Sequence, residues 1–288
     1  MNTIAYARHR RLWIAVIGLL TLSAEAFSRS PAPTPENRPY SSRTTGKADY
    51  GRHAINEQPP PYWAIGKLAG PLPCTGAIVL HPRIVLTASH CVTRNMSPPA
   101  HGTLTFQLAY QAASRSSAFN GRLWAMGAIQ HRDWQTVHEA SEDWAIVLLE
   151  GRPRGIRPLR VSNYSLQQLM SHQGQLLLPR YSFDIAKAEL LGLGAPCSIR
   201  GEAWRILLHD CAATTSASGA PLLMKDDVWY AVVGVHSGSM YVDDEDDHSL
   251  RRLGKSAIRV DRFAGSLRDL LGKLDAEDDT DRVHPPAY

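Results

Sequence analysis

From about residue 62 onward the chain is a series of short apolar runs separated by turn residues. Runs at 63–68, 75–80, 83–87, 104–109, 123–129, 144–149, 185–192, 205–208 and 228–236 each have the length and composition of one strand. No regular strand–helix alternation accompanies them, so a parallel α/β sheet is not expected. The pattern predicts an all-β sandwich or pair of barrels. One segment has a different period. Val260, Phe263, Leu267, Leu270, Leu271 and Leu274 fall three or four residues apart, with Arg262, Arg268, Asp269 and Lys273 between them. That spacing predicts an amphipathic helix over 259–274. Gly265 and Gly272 weaken it, so packing must hold it. An acidic tail, 275–288, follows and is expected to fray. The sequence contains no internal repeat.

Composition adds little to this picture. With 44% hydrophobic and 20% charged residues, the 288-residue chain is an ordinary globular protein. Its 21 glycines and 19 prolines supply punctuation for many short strands. The N-terminus changes the picture more. Arg8, Arg10 and Arg11 precede an eleven-residue apolar run at 12–22, and Ala24-Glu25-Ala26 follows. A basic start, a short apolar stretch and a small-x-small site make residues 1–26 a secretory signal peptide. The run is shorter than the ~20 residues of a membrane span. Removing this segment brings the net charge of +4 close to neutral, which suggests neither a nucleic-acid partner nor a membrane partner after signal removal. Residues 27–61, rich in Pro, Ser and charge, read as a disordered leader or propeptide. The globular part is expected at 62–274.

Export gives the four cysteines a meaning. In a periplasmic or secreted protein they read as two disulfides. Of the three pairings available, the sequential one, Cys74–Cys91 and Cys197–Cys211, closes two short loops and is the expected one. No Cys-x-x-Cys or His-Glu-x-x-His spacing occurs, so no metal or other cofactor is expected.

Three segments carry chemistry. Leu86-Thr-Ala-Ser-His90-Cys91 follows an apolar strand. Glu142-Asp143-Trp144 heads a buried one. Cys211-Ala-Ala-Thr-Thr-Ser-Ala-Ser218-Gly219-Ala220-Pro221 is a small-residue loop. A serine hydroxyl becomes a nucleophile when a histidine takes its proton, and a buried aspartate orients that histidine. His90 is therefore assigned as general base and acid, Asp143 as the orienting acid and Ser218 as the nucleophile. The N–H groups of Ser216 and Ser218 are the expected oxyanion donors. Asp133 is the rival acid but lacks a following apolar strand. The Gly-x-Ser-x-Gly elbow of many esterases is missing, because Ser216 and Ala220 stand at its glycine positions.

With these residues in this order, the chain resembles trypsin-like serine proteases, specifically the bacterial branch related to glutamyl endopeptidases. The resemblance covers about 60–272. It rests on Trp63-Ala-Ile-Gly-Lys-Leu, Cys74-Thr-Gly-Ala-Ile-Val-Leu and Val85-Leu-Thr-Ala-Ser-His90-Cys91 in the first half. In the second half it rests on Leu207-Leu-His-Asp-Cys211, Ser218-Gly-Ala-Pro-Leu-Leu and Gly234-Val-His236-Ser237-Gly238. It implies two six-stranded antiparallel barrels, at about 62–155 and 156–258, that divide near 151–165, with the catalytic residues between them. It also implies that Ala212, Ala213, His236, Ser237 and Gly238 line the pocket for the residue before the scissile bond.

The chain departs from the family at several of these positions. Ser216 stands where the family has Gly, and Ala217 where trypsin has the Asp that pairs with a freed amino terminus. Trypsin's activation mechanism is therefore not available. Ala212 replaces the acid that selects Arg or Lys. His236 matches a histidine that contacts substrate carboxylate, whereas Ala213 replaces a hydroxyl residue. A run of acids at 243–247 reads as a solvated loop. The expectation is an exported, monomeric serine endopeptidase acting on protein or peptide substrates, with a preference for Glu or Asp before the scissile bond. The alternative is a catalytically impaired protein of the same fold that serves as a binding or interaction module.

Overall fold

The computed structural model describes residues 61–93, 104–108, 117–127, 141–189, 191–225, 229–243 and 250–283. The expected export signal, the expected leader up to residue 60, Asp133, most of the acidic run at 243–247 and the last five residues lie outside the described residues. No helix among the described residues is long and apolar enough to cross a membrane.

The first six strands are β1 (Ile65–Ala69), β2 (Cys74–Ile78), β3 (Ile84–Thr87), β4 (Leu104–Leu108), β5 (Ser117–Met126) and β6 (Ala145–Leu149). They close into an antiparallel barrel in the order β1-β2-β3-β6-β5-β4, with β4 returning to β1. Strands β2, β3 and β6 are buried at every position, which explains why they hold only small or apolar residues apart from the buried Thr75 and Thr87. Strand β4 instead alternates strictly between buried and half-buried.

The second half contains β7 (Arg160–Val161), α1 (Leu166–Ser171), β8 (Leu176–Leu177), β9 (Arg180–Tyr181), β10 (Leu191–Gly192), β11 (Ile199–Ala203), β12 (Ile206–His209), β13 (Pro221–Lys225), β14 (Tyr230–Asp243) and β15 (Leu250–Arg259). These form a sheet in the order β11-β12-β15-β14-β13-β8, with β7 paired parallel to β14 and β9–β10 as a separate two-stranded ladder. The outer ends of the sheet meet at an isolated bridge. Leu176 N donates to the Cys197 carbonyl at 3.0 Å, and Cys197 N returns the bond at 2.9 Å. Helix α1 starts on a reciprocal cap between Ser165 and Gln168.

Two expectations change in this half. The run at 185–192 is a strand only at its end, β10. It holds a 3-10 turn with Lys187 and Ala188 at positive φ, because the Ile185 and Ala188 N–H groups both fold back onto the Ser182 carbonyl. Its apolar residues signalled burial, not extension. The closing helix, expected over 259–274, is a 3-10 turn at Val260–Arg262 followed by α2, Ala264–Val283. Val260, Phe263, Leu267, Leu270 and Leu274 are buried, as their spacing predicts, in an apolar cluster shared by the first barrel and part of the second half. The helix runs past its apolar stripe where acids of the tail meet cations of the barrel. Glu277 pairs with Arg83 at 3.3 Å, and Asp278 pairs with Arg152 at 2.8 Å.

Both expected disulfides are present. Cys74–Cys91 ties the start of β2 to the turn that carries His90, and Cys197–Cys211 ties β11's entry to β12's exit. Such bridges fit an oxidising compartment.

Candidate active site

Strand β3 ends at Thr87, and the chain turns through a 3-10 turn, Ser89–Cys91, that carries His90. Asp143 lies just ahead of β6, and β6 pairs with β3 from Ile84 to Thr87. The barrel thus brings residues 53 apart in sequence side by side. The Asp143 carboxylate is 1% exposed and accepts from four donors. Oδ1 takes the Ser89 hydroxyl at 2.7 Å and the His90 backbone N–H at 3.1 Å. Oδ2 takes His90 Nδ1 at 2.8 Å and the Ser237 hydroxyl at 2.5 Å. A buried carboxylate with this many donors stays ionised. Burial pushes its pKa up, but the His90 charge and hydrogen bond, with the Ser237 and Ser89 donors, bring it down to about 2. Burial opposes the His90 imidazolium, but the Asp143 charge and hydrogen bond outweigh it and raise the pKa. The Nδ1 contact leaves Nε2 as the ring's second nitrogen, the one a base would use.

The third segment reaches the same place from the second half of the chain. Ser218 Oγ donates to the Ser237 carbonyl at 3.2 Å, and the Ser237 side chain donates to Asp143. Ser237 therefore joins the nucleophile candidate to the acid. The family pattern assigns it to the pocket wall, but its hydroxyl belongs to the Asp143 cluster. Neither that contact nor Ser89's was legible in the sequence, because each depends on a cross-barrel approach. Thr75 on β2 holds the serine loop in place. Its N–H donates to the Ser218 carbonyl at 2.9 Å and its hydroxyl to the Ser216 carbonyl at 3.3 Å.

The local backbone has two left-handed residues, Ser216 at φ +73° and Gly219 at φ +81°. Residue 216 is where the resemblance expects Gly, and Ser216 takes a positive φ that glycine tolerates more easily. The Ala217 N–H bonds the Thr214 carbonyl at 3.2 Å, which closes a turn at 214–217. Among the described residues, neither the Ser216 nor the Ser218 N–H meets an acceptor.

The other assigned residues lie behind this loop. Ala213 and Ala217 pack in the apolar core of the second half, and Ala212 is half-buried. His236 is 2% exposed, with Nδ1 3.1 Å from Nε2 of the equally buried His209 on β12. Burial holds both rings neutral, with Lys255 adding repulsion, and lowers His209 to about 3. Strand β14 bulges between His236 and Gly238, and a side chain at 238 would meet nothing within 4 Å. Lys255, unremarked in the sequence, sits on β15 directly across from His209 on one side and Ser239 on the other. Burial lowers its pKa to about 8, with Arg252 and Arg180 contributing and Asp184 opposing.

His90 also has a ring nitrogen within 4.8 Å of the sulfurs of Cys74 and Cys91. Those sulfurs are bonded to each other, so they are not available thiolate ligands. No protein-family model matches the chain, and no curated protein matches it in sequence.

Proposed function

We propose that the protein is an exported serine endopeptidase of the chymotrypsin-like fold, with His90, Asp143 and Ser218 as its triad. The observation that carries this reading is the fully buried Asp143 carboxylate. It holds His90 Nδ1 at 2.8 Å, with the Ser218 hydroxyl one residue away on the Ser237 carbonyl. The two-barrel architecture belongs to the same reading and is supported by the Leu176–Cys197 bridge across the ends of the second sheet.

In the proposed reaction the Ser218 hydroxyl turns from Ser237 to His90 Nε2 as substrate binds. Its oxygen bonds the substrate carbonyl carbon while its proton passes to His90. The resulting oxyanion is met by the Ser216 and Ser218 N–H groups. His90 then gives the proton to the leaving amine as the C–N bond breaks. A water molecule, deprotonated by the same ring, releases the acyl group. Asp143 keeps its negative charge throughout and stabilises the imidazolium.

The test is labelling of residues 27–288 by a fluorophosphonate, beside a Ser218→Ala control. Labelling of the native chain that vanishes in the control is the expected result. A folded, oxidised chain that never labels would favour the binding-module alternative. The pH profile follows from the site. The base works only when neutral and Asp143 raises its pKa above 6.5. Therefore kcat/KM is expected to fall with decreasing pH through a value above that of free imidazole. A limb at or below 6.5 would contradict the assigned pair.

An acidic residue before the scissile bond is the substrate preference we infer. His236 is neutral, so it offers a hydrogen bond but no charge. Lys255 supplies the charge, and among the described residues it forms no ion pair. Substitution by methionine is expected to lower kcat/KM for Glu or Asp substrates by roughly 10- to 100-fold, the scale of a lost charge-assisted hydrogen bond. Substrates with neutral residues there should change little, and equal losses on both would refute the preference.

A further inference from the structure

Ser216 adopts a left-handed backbone that costs a non-glycine residue on the order of 1 kcal/mol or more, and such strain persists only where the surroundings over-determine it. Ala217 carries no charge, so the turn at 214–217 is not anchored by an ion pair from the residue preceding Ser218. Its anchor comes from the loop after β9.

Asp184 lies at the centre of that anchor. Its Oδ1 accepts the Thr214 hydroxyl at 2.7 Å and the Ser182 hydroxyl at 2.5 Å. The bonds are reciprocal. The Asp184 N–H donates to Thr214 Oγ1 at 3.3 Å, and the Thr214 N–H donates to Ser182 Oγ at 3.2 Å. Between these two, the Phe183 N–H donates to the Thr215 carbonyl at 2.8 Å. Three consecutive residues, 182–184, thus grip residues 214 and 215. The other carboxylate oxygen of Asp184 lies 3.6 Å from Nη2 of Arg180, a wholly buried guanidinium. On the far side, Thr75 holds the Ser216 and Ser218 carbonyls. The Thr75 N–H contact is made by backbone alone. The Asp184 grip depends on a side chain that can be removed.

We propose that Asp184 is a positioning residue for the oxyanion turn: its carboxylate, seated on Ser182 and Arg180, pins Thr214 so that Ser216 keeps its left-handed backbone. This rests on the serine-hydrolase reading for its catalytic consequence. The anchor is internal to the folded domain, so the turn is set without a freed amino terminus reaching into it. That fits a chain with Ala217 in place of the paired acid.

The experiment uses residues 27–288 with Asp184→Ala, Asp184→Asn, Thr214→Val and Thr214→Ser. Three quantities are read: the rate constant of fluorophosphonate inactivation, and kcat and KM on a peptide ester. Asp184→Ala and Thr214→Val are expected to lower kcat and the inactivation rate towards the ~10²-fold loss seen when one oxyanion donor is removed, with KM within about threefold. Asp184→Asn keeps the Oδ1 acceptor and Thr214→Ser keeps the hydroxyl, so both should stay within about fivefold of the native rate. Native-like kcat in Asp184→Ala overturns the proposal. So does a loss shared equally by KM, or one that tracks a fall in Tm. Crystal structures of the native and Asp184→Ala chains decide the matter independently of activity. Ser216 should leave positive φ in the variant, and an unchanged turn overturns the proposal. If the native chain reacts with no probe, the hydrolase reading fails, and this structural comparison still tests the anchor.

Discussion

Asp143→Asn is expected to lower kcat by about 10⁴-fold while leaving KM nearly unchanged, the scale of that substitution in a serine-protease triad. All four groups that face the carboxylate are donors: Ser89 Oγ, His90 N, His90 Nδ1 and Ser237 Oγ. An amide has one acceptor and one donor end. If its NH2 faces His90 Nδ1, the ring must accept there and carry its proton on Nε2, where it cannot act as base. If it faces Ser89 and the His90 N–H, a buried backbone donor loses its partner. The same substitution should alter acid stability, with a definite sign. A carboxyl lowered from 3.8 to about 2 contributes stability that is present above 3.8 and lost as pH falls toward 2. Acid unfolding of the native chain should therefore show a component over that window that Asp143→Asn lacks. Steady-state kinetics and acid titration of the two proteins check both points. A kcat within tenfold of native would remove Asp143 from the triad.

Gly219→Ala is expected to destabilise the protein by about 3 kcal/mol or more. Two independent costs combine. Its φ of +81° is unfavourable for any side chain. A Cβ there would lie 2.2 Å from the Thr75 carbonyl and 2.2 Å from Thr87 Oγ1. Those atoms are already fixed by the Thr87-to-Thr75 hydrogen bond at 2.8 Å. The Gly219 N–H also donates to the His236 carbonyl at 2.8 Å, so the loop cannot move away without losing a buried bond. Thermal or denaturant unfolding of the variant gives the figure, and a change below 1 kcal/mol would contradict the packing at this contact. Gly155, at φ +72° with nothing within 4 Å of an added Cβ, is the control. There only the backbone cost of about 1 kcal/mol is expected.

Most strands of the first barrel were readable because burial on both faces writes an unbroken apolar run, as in Ile84–Thr87 and Ala145–Leu149. Strand β15, Leu250–Arg259, was not readable, since its Arg, Lys and Gly residues leave no apolar run, although it pairs with both β12 and β14. Strand β13 was hidden because its leading proline reads as loop. The run at 185–192 misled for the opposite reason. Apolar residues there fill a folded-back turn over Ser182.

At the site, the sequence by itself determined the residue types and their order: His90, then Asp143, then Ser218, with two cysteine pairs beside them. Those features are local, since each lies beside a strand or a cysteine that marks it. The tertiary structure alone decided which groups complete the site. Ser89 and Ser237 reach Asp143, Thr75 holds the serine loop, and Asp184 grips Thr214 across 30 residues. A lone hydroxyl or carboxylate has no periodicity and no marker in sequence. Its role is fixed only when barrel closure and strand pairing bring a donor within about 3 Å of an acceptor.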